Sequence, residues 1–176
     1  NNLWRKTYGD VANDEFSAIA ITTDGNIIVT GLTANTVTNG EDVSLVKVDR
    51  TNGSVIWSER YGGPGNENGL SVSATSDGGA IVGATQNPSG NFSYVYTLKV
   101  TSTGAIDWTL TLPGASQIDE VNGVGETNDG NYFISGVTNT FGAGQGDLFL
   151  AKIDGSGSLL FTRTFGTSAR DDGFAA

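Results

Sequence analysis

From Phe16 the chain runs Ser17-Ala18-Ile19-Ala20-Ile21, with small and large side chains alternating from Ala18 to Ile21. It breaks at Asp24-Gly25 and resumes as Ile27-Ile28-Val29-Thr30-Gly31. Successive side chains of an extended strand point to opposite faces, so these runs predict two half-buried strands. Asp-Gly between two such runs predicts a tight hairpin, expected as a type I′ turn with φ > 0 at both central residues. A polar stretch from Ala34 to Glu41 leads to a third run, Val43 to Val48. A turn at Thr51-Asn52-Gly53 then delivers a fourth, Ser54 to Tyr61. No segment carries an apolar period of 3.6 residues, which predicts strands and no helix.

The same pattern returns along the chain. Trp4, Trp57, Trp108 and Phe161 recur at intervals of 53, 51 and 53 residues, each followed four positions later by Tyr8, Tyr61, Leu112 and Phe165. Asp24-Gly25, Asp77-Gly78 and Asp129-Gly130 keep that period, as do Lys47, Lys99 and Lys152. Four strands per repeat of this length, with one aromatic landmark each, are the pattern of a β-propeller blade. A lone four-stranded sheet cannot bury both faces, so each blade leans on its neighbours, and the Trp series is expected in the space between them.

The predicted fold is therefore all-β, a β-propeller of four-stranded antiparallel blades. Residues 1–176 are read as a single propeller segment. Its blade repeats run roughly over 10–61, 62–112 and 113–165, with partial blades at 1–9 and 166–176. Residues 1–8 would form a fourth strand, and Arg170 to Ala176 would begin a further first strand. Three complete blades flanked by two partial ones imply a piece of a longer propeller, or a part-propeller completed by neighbouring chains.

Composition narrows the chemistry. Cysteine, methionine and histidine are absent from the 176 residues, which removes thiolate and imidazole metal sites, Ser-His and Cys-His catalytic pairs and disulfides. The net charge of −10 disfavours phosphate backbones and anionic lipid surfaces. The longest apolar runs reach only four or five residues, so membrane insertion is not expected.

The units Trp-x-x-x-Tyr-Gly, Asp-Gly-x-x-x-x-x-Gly and Leu-x-Lys-x-Asp resemble the β-propeller repeats of bacterial secreted and cell-surface proteins. Those repeats are frequent in large exported proteins of Bacteroidetes-type bacteria. The second repeat departs from the pattern with Gly83 one place early and Thr101 in place of Asp, and the third has Leu112-Pro113 for Tyr-Gly. The segment Lys47 to Trp57 also looks like the tryptophan-docking motif of quinoprotein propellers, where it locks adjacent blades. The quinone and Ca²⁺ ligands of that family have no counterpart here.

Candidate chemistry gathers in the loops joining the fourth strand to the next first strand and the second strand to the third, which share one face. Asp14, Glu67, Asp119 and Asp172 fall at equivalent positions of successive repeats. They could ring the central funnel and hold Ca²⁺ through oxygen, or they could cap backbone N–H groups; capping is the preferred reading. The pairs Asp14-Glu15, Asp119-Glu120 and Asp171-Asp172 are poorly suited to glycoside hydrolysis, because neighbours on a strand diverge. The three lysines are expected to lie over a blade surface or pair with a carboxylate. Phe92 and Phe141, in the loops between second and third strands, are the ligand-stacking candidates.

The expected function is a non-catalytic scaffold or binding module of a secreted or cell-surface bacterial protein. It would present acidic loops to a protein or glycan partner, and other blades of the same or a neighbouring chain would be further partners. No cofactor is expected, with Ca²⁺ as the one ion the carboxylates could hold. The rival expectations are a polysaccharide-acting propeller enzyme or its accessory module, and a structural subunit assembling through open blade edges.

Overall fold

The computed structural model describes residues 4–9, 13–35, 40–87, 92–112 and 119–171. These residues form twelve strands and no helix, so the all-β expectation holds. The first four strands are β1 (Asp14–Ile21), β2 (Ile27–Asn35), β3 (Gly40–Val48) and β4 (Val55–Tyr61). The next four are β5 (Asn66–Ala74), β6 (Ala80–Asn87), β7 (Tyr94–Val100) and β8 (Ile106–Thr111). The last four are β9 (Asp119–Glu126), β10 (Tyr132–Thr138), β11 (Asp147–Ile153) and β12 (Leu159–Phe165).

Within each group of four, consecutive strands pair antiparallel as a meander. The first two meanders join into one eight-stranded sheet through a single parallel bridge between Glu41 and Asn66, and the third is a separate four-stranded sheet. Neither sheet closes into a barrel. The first strands lie side by side in space, β1 against β5 and β5 against β9. Residues 4–8, the described part of the strand expected over 1–8, pair with no strand among the described residues.

The Asp-Gly hairpins form, but not as two-residue type I′ turns. The Gly25 N–H donates to the Thr22 carbonyl at 2.8 Å and the Thr22 N–H to the Asn26 carbonyl at 2.9 Å, so the loop has three residues. Only its last residue needs a positive φ, and Gly25 supplies it at 79°. The loops at 75–79 and 127–131 repeat this closure. The side chain of Thr22, two residues ahead of the Asp, competes with the tighter turn by bonding the Asp24 carboxylate.

Each first strand carries a bulge at the same repeat position, skipping Ser17 in β1, Leu70 in β5 and Asn122 in β9. The bulge pushes a carbonyl toward the second strand, and a Cβ at Gly31 or Gly136 would strike the carbonyl of Glu15 or Glu120. In the second meander Ala84 takes that place and Gly83 precedes it. A Cβ at Gly83 would strike Val121 of β9. The early glycine is therefore a response to the neighbouring meander, not to its own bulge.

The dry core lies between meanders. Val43, Leu45, Val82, Ala84, Leu98 and Val100 bury between the first and second. Ile81, Val95, Tyr132, Ile134, Phe149 and Ile153 bury between the second and third. Tryptophans link each meander to the turn between third and fourth strands of the next. Trp4 Nε1 donates to the Arg50 carbonyl at 2.9 Å and Trp57 Nε1 to the Ser102 carbonyl at 3.0 Å. The Tyr8 and Tyr61 hydroxyls add bonds to the carbonyls of Gly53 (2.8 Å) and Gly104 (2.6 Å). Gly53, Gly104 and Gly157 have φ of 70°, 86° and 88°, and a Cβ there would crowd Trp4, Trp57 and Trp108 respectively. The third lock is weaker: Leu112 replaces the tyrosine, and the buried Trp108 Nε1 has no hydrogen-bond partner.

Candidate functional site

The repeated lysines sit on third strands opposite the Asp-Gly turns, and each closes an ion pair. Lys47 meets Asp24 at 2.8 Å, Lys99 meets Asp77 at 2.6 Å and Lys152 meets Asp129 at 2.9 Å. Lys47, with Thr22 and the Asn26 backbone, holds the Asp24 carboxyl well below the usual carboxylate range. Desolvation works against ionisation of Asp77, yet Lys99, Thr75 and the Gly79 N–H together lower it to about 2. Thr127 and Lys152 act in the same direction on Asp129. Such carboxylates are fixed anions that brace a turn, and they are poor proton donors or acceptors near neutral pH.

The carboxylates expected in loops begin strands instead, and they cap. Asp119 starts β9 and is 2% exposed. Its carboxylate accepts from the Thr138 hydroxyl at 2.7 Å, the Asn139 N–H at 2.9 Å and the Thr140 hydroxyl at 2.8 Å. Its backbone N–H donates to the Ser93 carbonyl at 3.1 Å, and its carbonyl accepts from the Ser93 hydroxyl at 2.9 Å. Glu120, next along, is exposed, as divergence along a strand requires. Glu67 is 1% exposed and accepts from the Gly63 N–H at 2.9 Å and the Gln86 amide at 3.2 Å.

Asp14, the corresponding residue of β1, is only half-buried. Asp172 lies outside the described residues. It is Asp171 that repeats the Glu67 arrangement, accepting the Thr167 N–H four residues back at 2.7 Å. Among the described residues no group of three or more His, Cys, Asp or Glu is placed to hold a metal ion. At Asp119 and Glu67 both carboxylate oxygens are already engaged by protein donors.

The site that emerges is the corner around Asp119. It organises the loop from Thr138 to Gly146, whose other anchor is Asp147. That residue is 1% exposed and accepts the Ala143 and Gly144 N–H groups at 3.0 and 3.2 Å. Between the anchors stands Phe141, 38% exposed, its N–H donating to the Thr138 hydroxyl at 3.3 Å. Phe92 is half-buried and adjoins Ser93, which bonds Asp119 from the second meander. Two aromatics 49 positions apart thus lie next to residues that bond Asp119, Ser93 through its backbone and Thr140 through its carboxylate. The corner offers an exposed ring and a loop held at both ends, which suits contact with a partner surface better than reaction.

Sequence reading missed the residues that build this corner. Ser93, Thr138 and Thr140 are ordinary strand and loop hydroxyls, and only their convergence on Asp119 gives them a role. A signal existed for the turn threonines, since Thr22, Thr75 and Thr127 stand two residues before each repeated Asp.

No family model matches the chain, and no curated protein matches it. Among solved structures it is similar to a protein of unknown function from Bacteroides caccae, with 15% identity and a TM-score of 0.55, over 86% of this chain and 46% of that one. It is also similar to Sqt1 from Chaetomium thermophilum, at 13% identity and a TM-score of 0.44, over 91% of this chain and 38% of that one. The chain thus spans about half the length of the Bacteroides protein. At this level of identity the likeness speaks for the all-β fold and for nothing further.

Proposed function

We propose that the chain is a stretch of β-propeller serving as a non-catalytic binding or scaffold module in a secreted or cell-surface bacterial protein. The three meanders are its blades, and further blades complete the ring. The propeller reading is supported by first strands that pack on one another and by tryptophans that lock each meander to the next. The functional reading rests on one observation, the exposed Phe141 held between two buried carboxylate anchors. The partner is a protein or glycan that meets this acidic loop face. The secreted, bacterial setting is supported by composition and repeat resemblance.

A glycan array and immobilised partner screens with the intact chain test this reading. Phe141→Ala should abolish retention while leaving the melting temperature unchanged. Retention unaffected by that change, or accompanied by unfolding, would remove the loop from the reading. No cofactor is part of it, and EDTA should leave the melting temperature where it was.

A second reading, assembly through open blade edges, is favoured by the edge strand of the third meander, β12. There Leu160 and Phe165 are 51% and 57% exposed. Light scattering tests it: a monomer at all concentrations would exclude assembly between copies of this chain.

A further inference from the structure

The fourth strands β4, β8 and β12 each pair on one side only among the described residues, so each leaves a backbone edge open. Such an edge is a template for another strand, and proteins blunt it with charges, prolines and bulges. All three carry a bulge near the start, skipping Ile56, Asp107 and Leu160. Beyond the bulge they differ. β4 places Glu59 and Arg60 in its pairing stretch and β12 places Arg163 there, whereas β8 runs Trp108-Thr109-Leu110-Thr111 with no charge and no proline.

β8 is also the edge whose surroundings are complete. Its meander has a sheet against each face, and Trp108 and Leu110 pack on the core shared with the third. The order β5-β6-β7-β8 sets β8 farthest from the first strands, which are the ones that pack on one another. Further blades beside the first or third meander would leave this edge as it is.

The direction of its backbone groups follows from one bond. The Leu112 N–H donates to the Val95 carbonyl at 3.0 Å, and Leu110 and Trp108 stand opposite Thr97 and Lys99 in the same ladder. Antiparallel pairing alternates, so Trp108, Leu110 and Leu112 turn their backbone groups toward β7, and Thr109 and Thr111 turn theirs away. Both threonines are exposed. Donors and acceptors two residues apart along a line match the backbone of another extended segment, and threonine suits cross-strand pairing.

Charge selects among the segments that could pair. Asp107 is exposed at the start of β8, and Glu59 lies against the turn before it, its Cγ 3.1 Å from where a Cβ on Gly104 would stand. Lys99, the one basic residue between 62 and 112, is buried and bound to Asp77. A second copy of this chain would bring another net charge of −10 and the same two carboxylates, which disfavours self-pairing.

We propose that β8 takes an extended segment of another protein as a fifth strand of the second meander. The segment is neutral and β-branched along the pairing stretch and carries a lysine or arginine that meets Asp107. The site is separate from the Phe141 loop and stands or falls without it.

NMR of the 176-residue chain titrated with the blocked hexapeptide Lys-Thr-Val-Thr-Val-Thr tests the proposal. Saturable binding in the millimolar range or tighter is expected, with amide exchange slowed at Thr109 and Thr111 and unchanged at Ser58 and Thr162. Glutamate in place of the peptide's lysine should weaken binding about fivefold, and Asp107→Asn should erase that preference. Methylating alternate backbone nitrogens of the peptide should abolish binding in one of the two patterns, with no change to the protein. Thr109→Pro removes an outward donor and no ladder donor, and should abolish binding in a variant that thermal melts show to be folded. Phe141→Ala should leave binding unchanged. No saturable binding overturns the proposal, as does binding that survives both methylation patterns or protects β4 and β12 equally. Protection of Thr109 and Thr111 that rises with protein concentration and needs no peptide would make a second copy the occupant, and would overturn it too.

Discussion

The second and third meanders share a sequence pattern yet differ in burial. In β7 every residue from Thr97 to Val100 is buried, whichever way it points. In β11 burial alternates, and Leu148, Leu150 and Lys152 are only half-covered. The lysine side chains report the same contrast, with Lys99 1% exposed and Lys152 21%. The second meander has a sheet against each face, whereas the third packs against a sheet on one face only, among the described residues. Burial here belongs to the neighbour, not to the strand.

The sharpest way to break that contrast is to remove the aromatic landmarks. Trp57→Ala deletes a ring docked on the next turn and a hydrogen bond, and should cost about 3 kcal/mol, the lower end for large aromatics because the ring is half-buried. Phe161→Ala, at the position with no following turn among the described residues, should cost about 1 kcal/mol. Urea denaturation of the two variants measures the difference, and equal losses would contradict the neighbour argument.

Lysine substitution should give a smaller separation. Lys99→Met removes charge-assisted bonds to Asp77 and the Val100 carbonyl from a buried position and should cost about 1.5–3 kcal/mol. Lys152→Met, at the open face, should cost about 0–1 kcal/mol. Denaturation midpoints compared at low and high salt would show whether the buried pair is the less screened of the two.

Acid should probe the same turns. Asp77 is lowered to about 2 in the folded chain from an ordinary value of 3.8, so folding favours its charged form. That contribution is complete above about pH 4 and is lost as pH falls toward 2. The stability of the native chain should decline across this window, and Asp77→Asn should flatten the decline. A variant whose pH profile matches the parent's would show that Asp77 carries none of it. The smallest stability effect is expected for Phe141→Ala, within about 0.5 kcal/mol, because its ring is exposed and its loop is held by Asp119 and Asp147.

Much of the fold was legible beforehand because its signals are local. Alternation from Ala18 to Ile21, Asp-Gly punctuation and the Trp spacing each depend on a few neighbouring residues, and all three reappear as strands, turns and docking points. The turn type was misread because the Thr22 hydroxyl, a partner outside the Asp-Gly pair, alters the closure. The carboxylate series was read as equivalent, yet Asp14, Glu67 and Asp119 differ in burial. Their surroundings come from residues 19 to 26 positions away or from another meander. Gly83 looked like an irregularity until β9 was seen against it.

The amino-acid order by itself determined where strands begin and end, which turns need glycine, and that one unit recurs. Backbone geometry over a handful of residues decides those matters. Only the tertiary structure decided which sheet faces are dry and which carboxylates are consumed in capping. These properties depend on atoms brought together from distant positions, and the alternation of a single strand carries no record of them.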